Sequence, residues 1–283
     1  MPDPIQLGSR LEPLFDDYLI DRLDGGATQR MHEPTPREVA LKTDRPWEGN
    51  MCNYVTVLRD GDTARMYYKA WAYDLTDGTE RDVHGMHVAL AESRDGIHWT
   101  RPTVGTHTFD GSRDNNIVFE GVGEKQHGTH GFAPFIDTHP TCDPAARYKA
   151  VGADRSSTQG ALYGMVSSDG IHWSLIRDEP IITDGAFDSQ NLAFYDSVRG
   201  EYRAYIRDFR DGRRCIKTCT SPDFVDWTTP QWLDYPNAPA EQLYTNQVMP
   251  YPRAPHVFIG FPTRYVERPW SDAIEGLPEP EHR

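Results

Sequence analysis

Carboxylates, amides and histidines gather just ahead of successive strand-like runs. RPWEGNMCNY brings Trp47, Glu48, Asn50 and Asn53, and KQHGTHGF brings His127 and His130. TDGAFDSQN brings Asp184, Asp188, Gln190 and Asn191, and PAEQLYTNQ brings Glu241, Tyr244 and Asn246. Connections further along add Asp74, Asp77, Glu80 and Asp82, then Arg207, Asp208, Arg210 and Arg213 from IRDFRDGRR. If such groups converge, two carboxyls can divide acid–base work. One, protonated, gives its proton to a leaving oxygen; the other, ionised, activates water or attacks carbon. Glu48 and Asp188 are the candidates for this pair, Glu48 as base or nucleophile and Asp188 as general acid. Glu241 is the alternative acid or a ligand for substrate hydroxyls.

Positioning such a set needs a repeating scaffold, and the chain carries one. ESRDGIHW begins at Glu92, SSDGIHW at Ser167 and SPDFVDW at Ser221. Each copy follows three runs rich in β-branched and aromatic residues. The first set is NYVTVLR, ARMYYKAW and GMHVALAES; the second is FAPFID, RYKAVGA and ALYGMVSS; the third is NLAFYD, EYRAYIRD and RCIKTCTS. Runs of this kind bounded by Asp/Gly turns are antiparallel hairpin signals. Within the phrase, Asp accepts turn amides, Gly tolerates positive φ, and Trp offers a broad face for packing. The phrase is therefore scaffold, and His98 and His172 belong to its turns.

Three strands plus a fourth carrying the Trp predict an all-β chain, a β-propeller of four-stranded antiparallel blades. The expected boundaries are blade 1 at about 50–104, blade 2 at about 115–177, blade 3 at about 186–230 and a partial blade 4 at about 241–266, within one domain over 1–283. In such a blade the turn between strands three and four lies on the face opposite the approach to strand one. The approaches to the inner strands are thus where chemistry is expected.

Composition narrows the partners. The formal net charge of −14 offers nothing to replace counterions on phosphate, so no nucleic-acid partner is expected. No apolar run nears the roughly 20 residues of a membrane span, so no membrane partner is expected. The N-terminal MPDPIQLGSRLEPLFDD has no basic head and no apolar stretch, so a cytoplasmic location is expected unless the true N-terminus lies upstream. Cys215 and Cys219 on one strand stand about 13 Å apart at about 3.3 Å per residue, too far for a disulfide. Cys52 and Cys142 lack metal-type spacing. His127-x-x-His130 has neither a supporting helix nor a third ligand nearby, and there is no G-x-S-x-G, P-loop or dinucleotide fingerprint. No metal or cofactor is expected.

Carboxylates converging from different blades suit glycoside cleavage, with Trp47, Trp71, Tyr244 and Trp270 as flat faces for sugar rings. Candidate substrate contacts are Trp47, Asn53, His130, Gln190, Asn191, Arg207, Arg210 and Tyr244. Two other classes stay open: a non-catalytic propeller that binds sugars or a protein, and a glycoside phosphorylase in which Arg207, Arg210 and Arg213 or Arg214 hold phosphate.

LFDDYLID, PWEG, RMYYKAW, AESRDGIHW, GSRDNNIVF, ARYKAV, SSDGIHW and SPDFVDW together resemble a group of bacterial proteins common in planctomycete-type genomes. The group is described as glycosyl hydrolase family 32 N-terminal-like, or five-bladed propeller hydrolase-like. The resemblance runs from about Leu14 to the C-terminus. It implies a five-bladed propeller and an oligo- or polysaccharide substrate. Relatives of this type cut fructans, arabinans and xylans. They use an acidic base or nucleophile at blade one, a transition-state-stabilising acidic residue at blade two and an acid at blade three. Carried over by position, Glu48 takes the first role and Asp188 the third. The chain lacks the Asn-Asp-Pro-Asn-Gly box, having GNMCNY, and lacks Arg-Asp-Pro, having HGTHGF with His130 in the stabiliser's place. Fructan specificity is therefore not implied. The group also implies a further Ser-x-Asp phrase after LYTNQVMPY and HVFIGFPTRY. With the propeller incomplete in this chain, self-association through an unpaired strand edge is expected.

Overall fold

A computed structural model describes residues 5–74, 81–154 and 160–268. The described residues form an all-β propeller, and their one helical element is a 3₁₀ turn at Pro144–Ala146. The first sheet holds β1 (Asn53–Asp60), β2 (Thr63–Asp74), β3 (Arg81–Ser93) and β4 (Ile117–Phe119), antiparallel and in that order. The second holds β5 (His130–Ile136), β6 (Tyr148–Ala153), β7 (Leu162–Ser167) and β8 (Ser174–Leu175). The third holds β9 (Leu192–Asp196), β10 (Glu201–Arg210), β11 (Arg213–Ser221) and β12 (Gln231–Trp232). Two short ladders follow: β13 (Gln242–Leu243) with β16 (Arg264–Tyr265), and β14 (Met249–Tyr251) with β15 (Ala254–Ile259). The inner strands β1, β5 and β9 are successive neighbours around the axis. No described helix is long and apolar enough to cross a membrane.

Apolar residues sit on both faces of the middle strands because each sheet is covered by its neighbours. Tyr67, Val88, Leu90, Phe119, Phe132 and Met165 fill the space between the first and second sheets. Phe135, Phe187, Tyr202, Ile206 and Phe224 fill that between the second and third. Removing such surface from water is what holds the sheets face to face.

The repeated phrase has one geometry in all three copies. Ser167 Oγ accepts from the amides of Asp169 (3.3 Å) and Gly170 (2.9 Å). Asp169 Oδ1 accepts from the amides of Ile171 (2.8 Å) and His172 (2.9 Å), and Trp173 Nε1 donates to the Gly170 carbonyl (3.1 Å). Ser93, Asp95 and Trp99 repeat the pattern, as do Ser221, Asp223 and Trp227. His98 and His172 close the turn on Asp95 and Asp169. Gly96 and Gly170 have φ +76°; in the third copy Phe224 takes the position with φ +70°. There a fully buried aromatic ring offsets backbone that a bulky residue otherwise avoids. Asp169→Ala is expected to cost about 1 kcal/mol, comparable with loss of a helix N-cap, and Asp169→Asn less, since one acceptor oxygen remains. Urea midpoints of the two variants check this; equal midpoints for wild type and Asp169→Ala would remove the turn from the account of stability.

The fourth strand differs from expectation. Trp173 and Trp227 stand just before β8 and β12 rather than in them. After Trp99 the chain makes only an isolated bridge, Glu92 with Thr100, and the outer strand of the first sheet is supplied later by Ile117–Phe119. Glu92 and Thr100 exchange backbone bonds on the edge, but Pro102 follows at once and has no N–H to continue a ladder. The described cysteines are all free thiols; burial pushes Cys219 up to about 12 and Cys52 up to about 11.

Ion pairs also join the sheets. Arg147 and Tyr148 of the second sheet both bond the carboxylate of Asp60 at the end of β1. Those contacts, Arg147 first, hold Asp60 down at about 2. Glu120 is held at about 2 by His107 and His87. Both carboxyls lie below their unfolded values, so the stability they add is fully present above about pH 5 and is lost as pH falls toward 2. A melting temperature that declines steadily between pH 5 and 2.5 is expected; a flat profile would contradict it.

Candidate active site

Four segments converge where the inner strands meet. At the start of β1 the register slips between Asn53 and Thr56, and Tyr54 takes φ +52°. This bulge turns the Tyr54 ring to the axis, 5.4 Å from the His130 ring. His130 opens β5 and is followed by Gly131 at φ +63°. A Cβ there would stand 2.4 Å from the Ser189 carbonyl oxygen, so only glycine lets the two segments approach. That approach sets His130 Nε2 3.1 Å from Asp188 Oδ1, close but poorly aligned for a hydrogen bond. Tyr244 arrives from the approach to β14, its hydroxyl 2.5 Å from that of Tyr54.

The loop carrying Asp188 is pinned from behind. Arg207 of β10 donates through Nε to the Ala186 carbonyl and through Nη2 to the Asp188 carbonyl, both at 2.9 Å. Asn191 accepts from the Arg207 amide (2.9 Å) and donates to the carbonyls of Phe187 and Ser189. Gln190 donates to Thr56 Oγ1 (2.9 Å) and accepts from Gln247 Nε2 (2.8 Å), tying three segments across the axis.

Lys69 of β2 completes the cluster. Its ammonium lies 5.0 Å from the Tyr54 ring centre and 4.8 Å from that of Trp71. Burial pushes it down to about 8, against the pull of Asp188. Asp188, with a half-exposed side chain, is held below the usual carboxylate range chiefly by His130 and further by Arg207 and Lys69; burial opposes this. Burial drives the Tyr54 hydroxyl up and Arg207 down.

The structure thus gathers Asp188, His130, Gln190, Asn191, Arg207 and Tyr244. It does not gather the other candidates with them. Glu48 lies in the wall of the first sheet with no exposed side-chain surface. Arg101 holds both its oxygens (2.7 and 3.0 Å), Tyr68 donates to Oε1 (2.5 Å), and the Arg45 amide donates to Oε2 (2.9 Å). Among the described residues, Glu48 and Asp188 share no hydrogen-bond partner. Glu241 pairs with Arg264 at the surface, 3.1 Å apart. Trp47 donates to Asn116 Oδ1 and packs on Phe109, lining a surface cleft of about 230 Å³ with Arg101 and Asp114. Arg210 faces Asp234 at 3.3 Å. Asn53 is exposed opposite Lys69 in the ladder. Asp184 and Asp208 both pair with Lys217, and His127 pairs with Asp154. Asp77, Glu80 and Trp270 lie outside the described residues. Among the described residues no three His, Cys, Asp or Glu side chains are placed to hold a metal ion.

Sequence reasoning passed over Tyr54, Lys69 and Gln247. Lys69 had a signal: it is the one charge inside the run MYYKAWAY. Tyr54 and Gln247 had none, because their roles rest on positive φ values of 52° and 48° that only the assembled axis imposes.

Fold and cluster define a propeller with a polar, charged cluster where its inner strands meet. No family model matches the chain, and no curated protein matches it. Among solved structures, it is similar to an N-acetylgalactosamine deacetylase from F. plautii in complex with blood group B trisaccharide (16% identity, TM-score 0.44, covering 72% of this chain and 60% of that one). It is also similar to a glycosyl hydrolase from Bacteroides ovatus (14%, 0.44, covering 74% and 55%). A third is a fructofuranosidase from Schwanniomyces occidentalis complexed with fructosylnystose (13%, 0.46, covering 73% and 39%). The chain spans 60% or less of the length of each of these three.

Proposed function

We propose that this chain is a carbohydrate-active enzyme that cleaves glycosidic bonds at the axial cluster, with Asp188 as its central carboxylate. The observation that carries the reading is the half-exposed Asp188 set between His130, Arg207 and Lys69 at the meeting point of the inner strands. An acid must hold its proton at working pH, which needs a raised pKa. Asp188 is held ionised instead, so its part is base or nucleophile: it takes a proton from water or attacks the anomeric carbon. His130 orients the carboxylate and Arg207 fixes its loop. Tyr54 and Tyr244 offer aromatic walls and hydroxyls for a sugar. Glu48, its oxygens already engaged by Arg101, Tyr68 and the Arg45 amide, serves the wall of the first sheet.

Phosphorolysis is the second reading, favoured by one observation: Lys69 and Arg207 outnumber the single carboxylate among the described residues of the cluster. A glycan panel incubated with and without inorganic phosphate tests both. Hydrolysis without phosphate supports the first reading, and phosphate-dependent release of a sugar 1-phosphate supports the second. Binding without turnover in either condition would reduce the protein to a sugar-binding module.

A further inference from the structure

Three lysines are buried on strands of the three sheets, and their partners differ. Lys149 on β6 lies 2.5 Å from Asp137 and also donates to the Ala146 carbonyl. Lys217 on β11 lies 2.7 Å from each of Asp184 and Asp208. Lys69 is 3% exposed, yet no described residue gives it a hydrogen bond or a carboxylate within ion-pair distance. Two aromatic faces, Tyr54 and Trp71, lie against it, and such contacts return a part of the lost hydration. A buried cation without a counter-charge is costly, and proteins place such costs at functional sites.

Charge at the axis is correspondingly unbalanced. Among the described residues, Lys69 and Arg207 face one carboxylate, Asp188, and Arg214 acts on Arg207 with the same sign, so positive charge is in excess there. Arg207 spends Nε and Nη2 on backbone carbonyls, and no described acceptor takes Nη1. An anionic group with oxygen acceptors would offset that excess. The overall charge of −14 does not oppose this at close range, because fields decay over about 8 Å at physiological salt.

We propose that the axial site recognises a sugar bearing a carboxylate, a hexuronic acid, whose anionic group is met by Lys69 beside Arg207. This rests on the reading of the axis as a glycan-cleaving site and names its substrate class. Inorganic phosphate would present the same oxyanion chemistry, and the test below separates it from a sugar carboxylate.

The test is calorimetric binding and turnover of oligosaccharides containing hexuronic acid against the same oligosaccharides with the carboxyl reduced to a neutral alcohol. Wild type should prefer the acidic form about 10- to 100-fold, the range of one charge-assisted hydrogen bond. Lys69→Met should lose that preference while melting at the same or a higher temperature, since it removes an unpaired buried charge. Equal affinity for the two forms, a preference that survives Lys69→Met, a variant that melts lower or fails to fold, or no binding of any acidic oligosaccharide would each overturn the proposal. Phosphate consumption with release of a sugar 1-phosphate would assign the cations to phosphate and overturn it too. Turnover of neutral glycans alone would sink the uronate while leaving glycan cleavage standing; no turnover of either form would sink both.

Discussion

Asp188→Asn is expected to lower kcat by about 10²- to 10⁴-fold, the range that a positioned acid–base group contributes, with the protein still folded and its melting temperature only modestly lowered. The loop that carries Asp188 is held by Arg207 and Asn191 through backbone groups, so its course does not depend on the carboxylate. The amide keeps the shape but cannot take a proton or attack carbon. Rates on the substrate found in the glycan panel, paired with thermal melts, give the measurement. Full activity in Asp188→Asn would move the chemistry elsewhere.

Glu48→Ala should act in the opposite way, on stability rather than on rate. Removing one partner of a buried ion pair strands the other and typically costs about 3–5 kcal/mol. Here Arg101 loses its carboxylate, with Tyr68 and the Arg45 amide losing an acceptor besides. At about 2–4 °C per kcal/mol for a chain of this order of size, the melting temperature should fall on the order of 10 °C. Glu48→Gln keeps the shape and should lose less. Whatever fraction stays folded should retain its kcat. A Glu48→Gln protein as stable as wild type but inactive would restore the catalytic part that its place before β1 implies.

The two carboxylates show why the site was only half legible in the sequence. Both precede an inner strand, and position along the chain makes them equivalent. Their fates were decided by residues remote in sequence. Arg101 reaches Glu48 and encloses it; His130 and Arg207 reach Asp188 and leave half its side chain open to solvent. Local pattern carries no record of which arginine turns which way. Glu241 is the same case at the surface, neutralised by Arg264 across the β13–β16 ladder.

The amino-acid sequence by itself determined the strands, their hairpins and the three Ser-x-Asp-x-x-x-Trp turns. Each of those turns is closed by bonds spanning only two or three residues, as from Ser167 to Gly170 and from Asp169 to His172, so residue types at fixed offsets suffice. Tertiary structure alone decided the outer strand of the first sheet, the bulge that aims Tyr54, the enclosure of Glu48 and the unpaired charge of Lys69. The physical reason is one of range. A turn amide finds its acceptor within its own segment, whereas the charge state and exposure of a side chain follow from which distant groups the packing of the sheets brings against it.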